Sequence, residues 1–191
     1  NALYKEGVTT VEIKSGYGLT PEAEVKMLQV VKTLANSFPI SIKATFLGAH
    51  AFPSAFKDKP DDYIDQICEI MIPMVTADKL ADFIDVFCEL GYFSVKQTER
   101  ILKVGAKHGL KPKIHVNQFN SIGGVQSGVK YKALSIDHLE VMKQKDIDSL
   151  IGTDVMPVAL PSCSYFLSIP YTPARSMIDQ GLPLALATDF N

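Results

Sequence analysis

Three of the four histidines in this 191-residue chain stand at the ends of short apolar runs. His50 follows Thr-Phe-Leu-Gly-Ala, His115 lies in Lys-Ile-His-Val-Asn-Gln, and His138 lies in Ser-Ile-Asp-His-Leu-Glu; only His108 is placed otherwise. Tyr17, Glu89, Gln118, Asp189 and Asn191 occupy equivalent places after apolar runs. Two imidazoles and a carboxylate (His115, His138 and Asp189) suit a borderline divalent ion such as zinc or ferrous iron. An ion held in that way acidifies a bound water and polarises a carbonyl. The competing reading makes Asp137 and Asp189 helix caps and the histidines buried rim fillers. Spacing alone does not separate the two.

Other chemistry is weakly signalled. Gly16, Gly18, Gly123 and Gly124 suit either anion-binding nests or plain turn geometry. Lys14 reads as a cationic site residue or a paired surface lysine, and Arg175 as a carboxylate holder or a helix-surface ion pair. The chain has no glycine-x-serine-x-glycine elbow, and no cysteine is flanked by a histidine.

A parallel sheet would bring these scattered residues onto one rim. Seven apolar runs, at about 8–13, 40–47, 83–88, 113–116, 133–136, 156–160 and 182–187, alternate with amphipathic stretches. Thr20-Pro21-Glu22-Ala23-Glu24 carries the marks of a helix start, and Val25, Leu28, Val31 and Leu34 follow at helical spacing. Further helices are expected over about 61–76, after Ser94 with Thr98, Ile101, Leu102 and Gly105 on one face, and at about 123–131, 144–151 and 173–180. Near-continuous apolar strands between helices mean a parallel sheet covered on both faces. With no dinucleotide glycine fingerprint after the first strand, the pattern favours an α/β (β/α)8 TIM barrel over a doubly wound sheet. The count is one strand short of eight, so the missing strand is expected before Asn1. Residues 1–191 are expected to form one partial catalytic barrel domain.

Composition narrows the function class. Hydrophobic residues make up 47% and charged residues 21%, with a formal net charge of -2. That balance offers no footing for nucleic acid or an anionic membrane. No apolar stretch reaches the roughly 18 residues of a bilayer span. Cys68, Cys88 and Cys163 are three, widely spaced and without a Cys-x-x-Cys pair, which fits reduced thiols in the cytoplasm.

A family resemblance is carried by six segments in order: Glu-Ile-Lys-Ser-Gly-Tyr-Gly-Leu (12–19), Thr-Phe-Leu-Gly-Ala-His-Ala (45–51), Asp-Val-Phe-Cys-Glu (85–89), Lys-Ile-His-Val-Asn-Gln-Phe-Asn (113–120), Ser-Ile-Asp-His-Leu-Glu (135–140) and Ala-Thr-Asp-Phe-Asn (187–191). Together they resemble imidazolonepropionase, a metal-dependent cyclic amide hydrolase of the amidohydrolase superfamily. The resemblance implies hydrolysis of 4-imidazolone-5-propanoate to N-formimidoyl-L-glutamate in histidine degradation, with one zinc or iron ion. It implies that His115 and Asp189 bind the ion, that His138 polarises the carbonyl or assists proton transfer, and that Asp189 receives the proton of water. Tyr17, His50 and Asn191 are implied to hold the substrate.

Two departures bear on that expectation. The family's His-x-His pair and the arginine after it do not occur here, in keeping with the missing first strand, so the chain alone is expected to be inactive. Many members carry a glutamate three residues after the strand-five histidine, where this chain has Gln118. An amide donates and accepts hydrogen bonds but takes no proton at neutral pH. Either Asp189 alone handles the proton or Gln118 serves in binding. The alternatives are another amidohydrolase such as a purine-type deaminase, which substrate profiling distinguishes, and a non-catalytic barrel, which turnover by a complete protein carrying Gln118 removes. The exposed apolar edges of an opened barrel would favour a homo-oligomer.

Overall fold

The computed structural model describes residues 2–190. In chain order, α1 (Ala2–Lys5) precedes β1 (Thr10–Lys14), α2 (Pro21–Ser37) and β2 (Ser41–Ala49). Next come α3 (Pro60–Gln66), a π-helical segment (Ile67–Met71) and α4 (Ile72–Ala77), followed by β3 (Phe83–Cys88) and α5 (Val95–Lys107). The rest is β4 (Lys111–Pro112), β5 (Ile114–Val116), α6 (Gly124–Lys130), β6 (Ser135–His138), α7 (Gln144–Leu150), β7 (Met156–Ala159), α8 (Pro161–Leu167), α9 (Ala174–Asp179) and β8 (Ala185–Leu186). The seven apolar runs thus each overlap a parallel strand, and the short β4 lies just ahead of the fourth run, whose strand is β5. Among the described residues no helix is long and apolar enough to cross a membrane.

The chain forms two compact units, 2–85 with 104–111 and 86–103 with 112–190. In the first, β1 pairs in parallel with β2 from Thr10 opposite Ser41 to Lys14 opposite Thr45. α2 starts as its residue types dictate: Thr20 Oγ1 accepts the Ala23 N–H at 3.3 Å, and Pro21 fills the first turn. Its buried face is Leu28 and Val31, flanked by half-buried Val25 and Leu34. The expected helix over 61–76 contains a five-residue π segment ending just before Ile72 and Pro73. Proline has no N–H to donate and crowds the preceding turn, and a π-bulge absorbs the mismatch.

In the second unit the strands are parallel and sequentially paired. Phe87 lies opposite His115, His115 opposite Asp137, Asp137 opposite Val158, and Val158 opposite Ala185. Ile114, Val116, Val125, Ile136, Ile147, Leu150 and Met177 form its interior. Ser94 and Gln97 cap α5 reciprocally: the Ser94 hydroxyl accepts the Gln97 N–H, and the Gln97 carbonyl accepts the Ser94 N–H at 3.0 Å.

Strand ends differ from the apolar runs where backbone donors are already committed. The Ala133 N–H donates to Gly128 O at 2.8 Å, closing α6, so the run at 133–136 turns extended only at Ser135. The Leu182 N–H closes α9 onto Met177 O at 3.1 Å, and Pro183 has no N–H, so the last run is strand only at Ala185–Leu186. α8 was not expected from its pattern, because Ser, Cys, Tyr and Phe are mediocre helix formers.

Candidate active site

The first unit holds two of the expected site residues. Gly16 follows β1 at φ +123°, and a Cβ there would lie 2.8 Å from Leu47 O, so only glycine fits the turn. Beyond it, the buried Glu24 carboxylate accepts the N–H groups of Gly18 (2.8 Å) and Leu19 (2.9 Å), fixing the loop that carries Tyr17. The exposed Tyr17 ring meets the His50 ring edge-on, with centroids 5.0 Å apart. Lys14 is paired with Glu12 (2.7 Å) and Asp85 (2.8 Å), the ion-paired alternative of its sequence reading.

The second unit holds His115, Gln118, His138 and Asp189. His115 shares a row with Phe87 and Asp137, so side chains of all three leave the same face of the sheet. A His115 ring nitrogen lies within 4.8 Å of an Asp137 carboxylate oxygen, and the Ser135 hydroxyl donates to Asp137 at 2.8 Å. His138, one residue on, would in a regular strand leave the opposite face. It instead has φ +85°, and Leu139 has φ +68°. This turns its ring to 5.2 Å from that of His115 and 6.5 Å from that of Phe87. Left-handed backbone costs a non-glycine residue roughly 1–2 kcal/mol, and the buried Thr172 hydroxyl holds the turn by donating to His138 O at 2.7 Å. Strain persisting in two successive residues is typical of a site where side-chain placement matters.

The buried carboxylate of Glu140 accepts the Ser164 hydroxyl at 2.9 Å and comes within 3.5 Å of His138 Nδ1. That contact is within ion-pair reach but makes no hydrogen bond, and among the described residues neither Nδ1 nor Glu140 Oε2, both buried, has a hydrogen-bond partner.

Asp189, at φ +51°, has a carboxylate oxygen within 4.8 Å of a ring nitrogen of His138 and of Cys163 Sγ, the three forming one donor cluster. His115 stands outside this cluster. Gln118 touches it, since its amide Nε2 donates to Cys163 Sγ at 3.6 Å. Burial pushes the Cys163 thiol up to about 12, reinforced by its hydrogen bond to Asp189 and by the Asp189 and Glu140 charges, while the Gln118 contact works the other way. An imidazole, a thiol and a carboxylate within this distance, beside an unpartnered buried imidazole nitrogen, are a donor set that fits zinc or ferrous iron. Asn191 lies outside the described residues.

Two further carboxylates set the loop after β5. Glu89, nearly fully buried, accepts Phe119 N–H at 2.9 Å and Asn120 N–H at 3.1 Å, so it anchors the backbone next to Gln118. Asp146 is fully buried and accepts Asn117 Nδ2 (3.2 Å), Ser121 Oγ (2.8 Å), the Lys143 N–H (3.0 Å) and Gln126 Nε2 (3.0 Å). Burial opposes its charge, but the bonds from Gln126, Lys143 and Ser121 outweigh that and hold its carboxyl below the ordinary range. Asn117, held at φ +56°, separates His115 from Gln118 by a tight turn. Arg175 is exposed and pairs with Asp179 at 3.2 Å along α9, the surface alternative of its sequence reading. Cys163, Glu140 and Asp146 escaped the sequence reading. Cys163 lies 25 residues from His138 and 26 from Asp189 (163 − 138 and 189 − 163), so no local motif marks it.

No protein-family model matches the chain. Among curated proteins, the chain is 69% identical over 185 residues to an imidazolonepropionase of Flavobacterium johnsoniae, covering 97% of this chain and 45% of that protein. It is 63% identical over 189 residues to the imidazolonepropionase of Flavobacterium psychrophilum, covering 99% of this chain and 46% of the relative. The chain therefore spans a little under half the length of the curated relatives it matches. Among solved structures, guanine deaminase from C. acetobutylicum with bound guanine superposes with a TM-score of 0.72 at 16% identity, over 98% of this chain and 48% of that one. An atrazine chlorohydrolase from Arthrobacter aurescens complexed with zinc and atraton gives 0.71 at 15% identity, over 98% and 47%. At such identities the likeness speaks for the fold: the parallel α/β barrel architecture of amidohydrolases.

Proposed function

Because the chain belongs to the imidazolonepropionase family, we propose that the intact protein hydrolyses 4-imidazolone-5-propanoate to N-formimidoyl-L-glutamate with the help of one divalent metal ion, zinc or iron. The observation that carries the reading is the approach of Asp189 to His138, 51 positions apart (189 − 138), with ligand atoms within 4.8 Å. The family resemblance assigns the ion to His115 and Asp189, and the donor set around Asp189 and His138 fits such an ion. When bound, the ion supplies the positive charge that acidifies water and polarises the ring carbonyl.

The chain's own groups account for the rest. The Asp189 carboxylate takes a proton from the attacking water, and the His138 imidazole, turned inward by its left-handed backbone, donates to the carbonyl oxygen as charge builds there. Water adds to the carbonyl carbon, the ring C–N bond breaks, and the proton from water goes to the departing nitrogen. Gln118 cannot act as a base, so it orients the ring by donating and accepting hydrogen bonds. Tyr17, His50 and Asn191 hold the remaining polar groups of the substrate, as the resemblance implies. In this reading residues 1–191 are part of one catalytic barrel domain, the partner is a small molecule, and the enzyme works in the cytoplasm.

The test is substrate profiling of the intact protein with imidazolone-propanoate, guanine and adenine. Hydrolysis of the first with formation of N-formimidoyl-glutamate supports the proposal. Deamination of a purine without imidazolone hydrolysis refutes it.

A further inference from the structure

Glu140 has no part in the reaction just described, yet its buried carboxylate lies against the His138 ring. We propose that Glu140 is a positioning residue for the hydrolysis: it accepts the Nδ1–H of His138, which leaves the opposite ring nitrogen, Nε2, to donate to the substrate carbonyl. The proposal rests on reading His138 as the carbonyl donor.

The two side chains each supply what the other lacks. Among the described residues neither His138 Nδ1 nor Glu140 Oε2 has a hydrogen-bond partner, and Nδ1 stands 3.5 Å from Glu140 Oε1. The side chains are only 4% and 0% exposed, so an unmade bond there is costly. A carboxylate can only accept, and an imidazole N–H donates. Charge-assisted N–H···O bonds settle at about 2.7–2.9 Å, so a closure of roughly 0.7 Å completes the pair. Catalytic hydrogen bonds are often long in the free enzyme and tighten around the reacting substrate.

The carboxylate is held in place for this role. The Leu139 N–H donates to Val116 O at 3.2 Å and the Val141 N–H to Asn117 O at 2.8 Å, so the backbone is tied to the end of β5 on both sides of Glu140. The Ser164 hydroxyl of α8 donates to Oε1 at 2.9 Å and fixes the rotation of the carboxylate. Thr172 holds the backbone of the His138 ring in the same way, through His138 O. All these groups belong to one compact unit. An imidazole that donates from both nitrogens is an imidazolium, and the Glu140 charge balances it in a buried site. No covalent bond changes at this pair, since both hydrogens stay on the ring as donors.

The experiment replaces Glu140 by Gln in the intact protein. Glutamine keeps the volume and an oxygen for Ser164 but carries no charge. With imidazolone-propanoate as substrate, kcat should fall about 10–100-fold, part of the roughly 10²–10⁴ that a positioned acid supplies, while KM stays within about twofold. An unchanged kcat, as a purely structural Glu140 would give, overturns the proposal, and so does a loss confined to KM. On the wild type, nitrogen-15 spectra of histidine-labelled protein should show a protonated Nδ1 at His138, assigned by its loss in His138→Gln. An unprotonated Nδ1 overturns the proposal even where Glu140→Gln does not fold. A wild type that hydrolyses no imidazolone refutes the proposed function instead, and the nitrogen spectrum still decides the pairing.

Discussion

Replacing Asp146 by Ala is expected to cost the fold about 2–4 kcal/mol. Four donors converge on this fully buried carboxylate: Asn117, Ser121, Gln126 and the Lys143 N–H. Ser121 and Gln126 are half-exposed and Lys143 is exposed, so water replaces much of what they lose. Asn117 is 1% exposed. It keeps Val141 O at 2.9 Å, but its other amide hydrogen is left with only the weak Met142 Sδ acceptor at 3.7 Å, a loss worth roughly 1–3 kcal/mol. Loss of the charge-assisted bonds adds about 1 kcal/mol or more. Urea unfolding should show a lower midpoint at unchanged slope, whereas Asp148→Ala, exposed on the same helix, should stay within about 0.5 kcal/mol. The pH dependence has a definite sign. The Asp146 carboxyl is held below its ordinary value in the folded protein. Its stabilisation is therefore present above the unfolded value of about 4 and lost as pH falls through the folded one. Asp146→Asn should flatten that acid limb. A cost for Asp146→Ala no greater than for Asp148→Ala would refute the reasoning.

Further outcomes follow from the same geometry. Asp189→Asn should lower kcat by about 10²-fold or more, because an amide takes no proton, in steady-state assays of the intact protein. Gln118→Ala should lower kcat/KM by roughly 5–150-fold, the value of about 1–3 kcal/mol for one lost hydrogen bond in the transition state; unchanged kinetics would remove Gln118 from the site. Thr172→Val leaves the His138 carbonyl without its 2.7 Å donor and should cost about 1–3 kcal/mol in denaturant unfolding. Gly16→Ala forces a Cβ to 2.8 Å from Leu47 O at φ +123° and should destabilise by at least about 1 kcal/mol; a neutral result would show that the Tyr17 loop is looser than described.

The alternation of apolar runs and helices was readable because a strand covered on both faces must be apolar throughout, and a helix packed on a sheet must repeat its apolar positions. The exact strand ends were not. They depend on which carbonyl takes the N–H of Ala133 or Leu182, and that is decided by the close of the preceding helix. Thr20 and Ser94 were legible as caps because capping is local. His115, His138 and Asp189 were legible as a set of ligand types at strand ends. The inward turn of His138 was not, because its positive φ is held by Thr172, 34 residues downstream (172 − 138). Cys163 was hidden for a related reason: α8 looks a poor helix by composition, and only its tie to Glu140 through Ser164 brings the thiol to the site. Asp146 reads in the sequence as an ordinary acidic residue of a helix's first turn, because the side chains that donate to it, Asn117 and Gln126, lie 29 and 20 residues away along the chain.

The most direct test of the central claim is to measure metal content and imidazolone-propanoate hydrolysis on one sample of the intact protein, before and after chelation. The account predicts about one zinc or iron per chain, turnover that disappears when the ion is removed, and recovery when it is restored. A folded protein that holds no ion and hydrolyses nothing, or one that hydrolyses equally well after the ion is stripped, would contradict it.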